Sequence, residues 1–415
     1  MSHSVVIVGA GHAAGELAVS LRQEGHTGRI LMIGAEPHVP YQRPPLSKAF
    51  LAGKVAQGSL ALRPSASYEK AAIELNLSTK VERIDRAGCI AVTTGGEEIP
   101  YDRLVLATGG RARQLTVPGC NGHGVFSLRT IDDVLRIRRE FEPGRRLVII
   151  GAGYIGLEVA AVAIRCGLRV TVLEAATRVL ARVVAPQLSA FYEQVHRRAG
   201  VEIRTGTEVV SIDEVVVGNR RIRNVHCSDG TELDADLVLV GIGLVPNTDL
   251  AEVAGLEVDN GIVVDELARS SDPAILAIGD CANHYNEFAG RRMRLESVQN
   301  AMEQARTAAA TLCGKLRPYQ VIPWFWSDQY HLKLQMAGFA PGYEEMVLRG
   351  SFELESFICF YLRDGRVVAV DAVNRPADFM HAKRLIAEGG RGLSTRALAD
   401  ESCSLKASPG QHPAH

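Results

Sequence analysis

The closest two cysteines of this 415-residue chain, Cys89 and Cys120, stand 31 positions apart, and the other six are scattered at 166, 227, 281, 313, 359 and 403. Such spacing holds no CxxC, no zinc knuckle and no iron–sulfur ligand run, so separate reduced thiols are expected. Excess charge of one sign is also missing. The 46 Lys and Arg against 47 Asp and Glu leave a net charge of -1, which excludes a global attraction to nucleic acid or anionic membrane; a charged partner must be met by a local patch. No run approaches the roughly 18 to 20 apolar residues that span a bilayer, and the opening MSHSVVIVGAG lacks the basic-then-apolar order of a signal peptide. A soluble, cytoplasmic protein is the expectation.

Length predicts two or three domains, and 47% apolar with 22% charged residues is ordinary for globular chains. The distinctive feature is a repeat. GAGHAAGE at 9–16 and GAGYIGLE at 151–158 share Gly, Ala, Gly and the closing Glu. Each follows a short β-branched run, SVVIV or LVII, and precedes a helical pattern and a second apolar run, ILMIG or VTVLE. These are two βαβ units of the dinucleotide-binding type, with almost wholly apolar strands as expected where helices cover both sheet faces. An α/β chain with two Rossmann-like domains is therefore predicted. Further apolar strands fall at 103–107, 236–242 and 275–278, and past residue 320 the segments IPWFWSDQYHLKLQMAG, FICFYLRDG and RVVAVDAV predict a third, α+β domain. The tail 404–415 lacks periodicity and is expected to be disordered.

In GxGxxG the first Gly permits the tight turn, the second lets backbone approach a pyrophosphate, and the third lets helix pack on strand. The helix N-terminus then offers free N–H groups to the phosphates. Gly151, Gly153 and Gly156 satisfy the pattern in full, whereas Gly9, Gly11 and Ala14 take its small-residue variant. An acid should close the second strand to accept the ribose hydroxyls. Glu174 does so in the later copy and disfavours a 2′-phosphate, so NADH is favoured over NADPH. The earlier copy has Gly34 at the aligned place and an acid two positions on, Glu36. Two nucleotides on one chain suit a hydride carrier paired with a flavin.

From residue 4 to about 400 the chain resembles the NADH-dependent ferredoxin reductases, a branch of the two-dinucleotide flavoproteins with a glutathione-reductase-like arrangement. The resemblance rests on VVIVGAGHAAG, YQRPPLSK, LATGG, VIIGAGYIGLE, GIGLVPN, AIGDCA, LESVQNAMEQAR and WFWSDQY. It implies a discontinuous FAD domain, 1–110 and 243–320, around an NAD domain, 111–242, with a C-terminal domain, 321–403, covering the flavin. It implies bound FAD, NADH as substrate, and Lys48 near flavin N5 paired with Glu158. It places Gly9, Gly11, His12, Ala13, Ala14, Glu36, Arg43, Ala107, Thr108, Gly109, Asp280, Ser297, Val298, Gln299 and Trp326 around FAD. Around NADH it places Gly151, Gly153, Tyr154, Ile155, Gly156, Glu158, Glu174 and Gly243. No chemistry attaches to His12, and Trp324 reads as a core residue.

By the same resemblance the chain passes electrons singly to a 2Fe–2S ferredoxin serving a haem monooxygenase or a ring-hydroxylating dioxygenase, as a monomer or weak dimer. No metal site of its own is expected. Ferredoxins are usually acidic, so Arg306, Lys315, Arg317, Lys383 and Arg384, with Trp326, are the candidate docking residues. A disulfide- or peroxide-reducing relative would need a cysteine close behind the first βαβ unit, and none precedes Cys89. Rubredoxin reductase and an NADH-sensing flavoprotein like apoptosis-inducing factor remain as alternatives.

Overall fold

The computed structural model describes residues 3–217 and 220–405. Its first sheet orders the strands Ile275–Ala277, Arg103–Leu106, Val5–Val8, Ile30–Gly34 and Ile73–Leu77, and its second orders Val125–Ser127, Leu237–Val240, Arg146–Ile150, Arg169–Glu174 and Glu202–Thr205. Every neighbouring pair in both sheets is parallel. The order is the same in both. Strands such as Val5–Val8 and Leu237–Val240 are buried along their whole length, which is why they read as unbroken apolar runs rather than as alternations.

The duplication reaches beyond the βαβ unit. Between its third and fourth strands each half inserts a three-stranded antiparallel meander, spanning Val81–Pro100 in the first half and Val209–Ala235 in the second. The halves differ in the source of the fifth strand. In the second sheet it precedes the duplicated unit, as Val125–Ser127, and in the first it comes late in the chain, as Ile275–Ala277, whose residues pair with partners 171 positions earlier in Arg103–Leu106. The two crossings between the units run side by side, because Gly110–Ala112 pairs antiparallel with Leu244–Pro246.

The helix His12–Gln23 starts without a side-chain cap, at Gly11, and packs through Ala14, Leu17, Ala18 and Leu21 on the helix Val298–Leu312. Small residues at 301, 305, 308 and 309 let the two backbones approach closely. This brings Val298 and Gln299, at the start of the long helix, beside the first glycine loop.

The C-terminal sheet is antiparallel, in the order Trp324–Gln329, Leu332–Gly338, Arg366–Val373, Ser356–Arg363, Glu345–Ser351. Alternation sets its two faces. Ile358 and Phe360 meet Phe379, Ala382 and Leu385 of the helix Pro376–Ala387, while Phe357, Cys359 and Tyr361 meet Leu188, Phe191 and Tyr192 of the helix Pro186–Arg198. The strand Glu345–Ser351 and the break at Tyr330, which has φ 57° and splits WFWSDQ from LKLQMAG, are additions to the expected strands. Leu405 is 5% exposed in this core, so order extends into the expected tail; 406–415 lie outside the described residues. Among the described residues no helix is long and apolar enough to cross a membrane, and no group of His, Cys, Asp or Glu could hold a metal ion.

Candidate functional site

Both glycine loops have the backbone that a pyrophosphate cradle requires. Gly9 and Gly151 take φ of 116° and 103°, and a Cβ on either would lie 2.2 Å from the Ala107 oxygen or 2.6 Å from the Gly241 oxygen. Gly11 and Gly153 have nothing within 4 Å of a would-be Cβ. The space above the second glycine of each loop is therefore open. Neither helix start has a side-chain cap, which leaves N–H groups and the positive end of the helix dipole facing that space. Gly156 is a packing glycine: a Cβ there would sit 2.1 Å from the Gly151 oxygen.

Strand register explains the displaced acid. Ile33 pairs with Val8 as Leu173 pairs with Ile150, so Gly34 and Glu174 are true counterparts. At Gly34 a Cβ would lie 2.5 Å from the Ala10 Cβ, and no carboxylate fits. The acid shifts to Glu36, which accepts from Arg43 at 2.9 Å and the Tyr41 hydroxyl at 2.7 Å. Glu174, with room, accepts from the Ala152 N–H at 2.7 Å and the Ala176 N–H at 2.9 Å, and is held facing its loop.

A cleft lined by His12, Pro45, Lys48, Val298, Trp326 and Asp328 opens beside the first loop. Two polar groups lack protein partners: the Nδ1 of His12, which lines the cleft, and the buried Gln299 amide, on both its nitrogen and oxygen, next in sequence to the cleft-lining Val298. Burial also lowers the His12 pKa, with Glu16 opposing. Orphaned buried polar atoms are costly unless a ligand or water satisfies them, so with the open loop glycines they fit a dinucleotide carrying a polar ring. Ser297, by contrast, is spent as an N-cap, accepting from the Asn300 N–H at 3.1 Å. Asp280 accepts from Arg129 at 2.8 Å, and Arg43 donates to the Arg129 carbonyl at 2.6 Å. Thr108 and Asn247 clamp the two crossings with hydrogen bonds of 2.7 and 2.9 Å, and the Gly243 carbonyl accepts from the Arg113 N–H at 2.9 Å. Ala13 is buried and Ala107 is 7% exposed.

Lys48 and Glu158 come together although 110 residues apart, with Nζ 2.7 Å from the carboxylate. Glu158 is 3% exposed, and it is satisfied by three donors from two segments: Lys48 and Ser47 donate to one oxygen, and Ser327 donates to the other at 2.7 Å. A buried carboxylate needs such compensation. Ser47 and Ser327 lie in the motifs PPLSK and WFWSDQ but are not among the residues the sequence singled out, and Arg129, also missed, stands in no recognisable motif. Glu16, the counterpart of Glu158, instead meets Arg63 at 3.2 Å and Arg306 at 3.5 Å. Tyr154 stacks on Phe325 at 4.9 Å and donates to the Met336 sulfur, while Ile155 remains 42% exposed at the loop.

Trp326 lines the cleft and lies 5.5 Å from Trp324, which packs on the C-terminal core. Four of the five candidate docking cations are engaged by carboxylates: Lys315 and Arg317 by Glu24, Arg306 by Glu303, Arg384 by Glu388. Lys383 lies over the Trp324 ring at 5.1 Å.

The chain matches the pyridine nucleotide-disulphide oxidoreductase family over residues 3–305 and a reductase C-terminal family over 324–408. It is 48% identical over 406 residues to putidaredoxin reductase of Pseudomonas putida, covering 97% of this chain and 96% of that protein. Identity is 45% over 404 residues, 97% of each chain, to the ferredoxin reductase subunit of 5,5′-dehydrodivanillate O-demethylase of a Sphingobium strain. The fold superposes on a covalent putidaredoxin reductase–putidaredoxin complex with a TM-score of 0.93 at 48% identity, covering 97% of both chains.

Proposed function

The chain belongs to the ferredoxin reductases of the pyridine nucleotide-disulphide oxidoreductase family, and from that premise we propose that it is an FAD enzyme that oxidises NADH and delivers electrons singly to a 2Fe–2S ferredoxin of an oxygenase system. The observation that carries this reading is the Lys48–Glu158 pair at the cleft, because it joins the first-loop unit to the second-loop helix at one point. FAD, when bound, supplies the change from a two-electron hydride to single electrons.

In this reading residues 1–110 and 243–320 hold FAD and residues 111–242 hold NADH. The first loop and its helix start take the FAD pyrophosphate, with Asp280, through Arg129, and Arg43 near it; Ala107, Thr108 and Gly109 form the floor where the chain crosses. Glu36 accepts from the adenosine ribose. Val298 and Gln299 put a helix N-terminus and a free amide against the ring, and Trp326 covers it. The second loop and Glu174 take NADH, with Tyr154, Ile155 and Gly243 along its nicotinamide half. Lys48 would hold positive charge at the ring's site, where it would favour uptake of negative charge by the bound cofactor, and Glu158 keeps that ammonium oriented. No side chain forms a covalent bond to substrate; orientation and electrostatics suffice. The ferredoxin docks over Trp326, Trp324 and Lys383, the surface continuous with the cleft.

Steady-state NADH oxidation against a panel of 2Fe–2S ferredoxins and a rubredoxin tests the proposal. Rapid multiple turnover with a ferredoxin is expected, with FAD released on denaturation. Preference for rubredoxin would move the chain to the rubredoxin reductases, and one slow reduction followed by a stable charge-transfer complex would make it an NADH sensor.

A further inference from the structure

The strand Trp324–Gln329 divides two environments. Trp326 and Asp328 face the cleft, whereas Ser327 and Gln329, both 0% exposed, face away from it, toward the helices that carry Glu158 and His196. On that hidden side a continuous line of hydrogen bonds runs from Tyr330 to Glu158. Tyr330 Oη lies 3.1 Å from His196 Nδ1, and His196 Nε2 lies 2.8 Å from Gln329 Oε1. Gln329 Nε2 donates to Ser327 Oγ at 3.2 Å, and Ser327 Oγ donates to Glu158 Oε1 at 2.7 Å.

The direction of every bond follows from its last member. An ionised carboxylate only accepts, so Ser327 must donate to it; Ser327 can then only accept from Gln329, which must turn its amide nitrogen to the serine and its oxygen to His196. His196 must therefore carry its proton on Nε2, and its bare Nδ1 accepts from Tyr330. Burial keeps this imidazole neutral, with a pKa lowered to about 4. Four donors in series, all pointing at one carboxylate, polarise one another and strengthen the final bond. An amide in the series cannot pass a proton on, so the line orients rather than conducts.

From this geometry we infer that Tyr330, His196, Gln329 and Ser327 form a positioning relay that fixes the Glu158 carboxylate from behind and thereby holds the Lys48 ammonium at the reacting edge of the cleft. The inference rests on the function proposed above for Lys48. It makes a histidine and a glutamine that touch neither nucleotide determinants of the hydride step.

The test uses the FAD-loaded enzyme, full chain, in anaerobic stopped-flow with NADH. Gln329→Met and His196→Phe should slow flavin bleaching about tenfold, with the NADH dissociation constant and the rate of reoxidation by ferredoxin unchanged. His196→Gln, which retains a donor, should bleach close to the wild-type rate. Tyr330→Phe, at the outer end where folding is least at risk, should slow it about twofold. In a Lys48→Met background none of these substitutions should slow bleaching further. Wild-type bleaching in folded Gln329→Met or His196→Phe enzyme overturns the relay and leaves the Lys48 reading intact, as does slowing that adds to that of Lys48→Met. Wild-type bleaching in Lys48→Met alone overturns the Lys48 reading, and the relay with it.

Discussion

Glu174 holds two backbone N–H groups with its two oxygens, and this fixes where its remaining lone pairs point. Glu174→Ala should thus cost NADH more than NADPH, narrowing the preference about tenfold as one charge-assisted hydrogen bond and one repulsion are lost; an unchanged ratio of kcat/KM for the two would refute its role. Lys48 can be tested by the same logic. Lys48→Met leaves Glu158 buried, at 3% exposure, with two hydroxyl donors, so it should lower stability by about 3 kcal/mol and slow bleaching by NADH, while nucleotide affinity stays close to wild type. Glu174 was legible from sequence because spacing alone locates it. Ser327 and Ser47 were not, since a serine donating to a buried acid 169 or 111 residues away leaves no local pattern. Glu16 shows the opposite case: it shares a repeat position with Glu158, yet the unit around it offers arginines rather than a lysine at the cleft.

At the scale of elements, the two glycine turns look interchangeable in sequence but differ in tolerance. Gly156 would bring a Cβ to 2.1 Å from the Gly151 oxygen, whereas the first loop already carries a fully buried side chain, Ala14, at the matching position. Gly156→Ala should push its helix off the strand, weakening NADH binding at least tenfold with bound FAD retained; isothermal titration with NADH and the flavin absorbance of the purified variant read the two effects separately. The parallel strands were legible because burial on both faces writes them as β-branched runs. Glu345–Ser351 was not, because EMVLRGS mixes charge and glycine on an outer strand whose neighbours, rather than its own composition, make it a strand. The docking cations show a related limit: sequence counts their charges but not the carboxylates that Glu24, Glu303 and Glu388 set beside them.

For the whole molecule, buried titratable groups set opposite limits of stability. His196 and His284 have pKa values lowered by burial to about 4, against about 6.5 in an unfolded chain. Their contribution is complete above pH 6.5 and is lost as pH falls through 4, about 3 kcal/mol for each. Asp371 behaves in reverse. Burial raises its pKa to about 7, so its contribution is complete below pH 4 and lost as pH rises through 7. Between pH 4 and 6.5 the two histidines outweigh the one opposing aspartate, so urea unfolding midpoints should fall on acidification through that window; above pH 6.5 only Asp371 still titrates, and midpoints should decline gently toward pH 7. Asp371→Asn, which can still accept from Tyr361 at its oxygen, should remove the second decline. A variant whose midpoint keeps the wild-type pH dependence would sink this account.

The unequal source of the fifth strand has a consequence for the order of events on the ribosome. The second sheet is complete once Leu237–Val240 has emerged, since all five of its strands lie between residues 125 and 240. The first sheet, although its opening strand is made at residue 5, lacks an edge until Ile275–Ala277 appears. The earlier half of the repeat must therefore wait, one side of Arg103–Leu106 unpaired, while the later half closes first. An exposed strand edge is a template for wrong partners, so the nascent chain is most vulnerable to aggregation during synthesis of the inner unit.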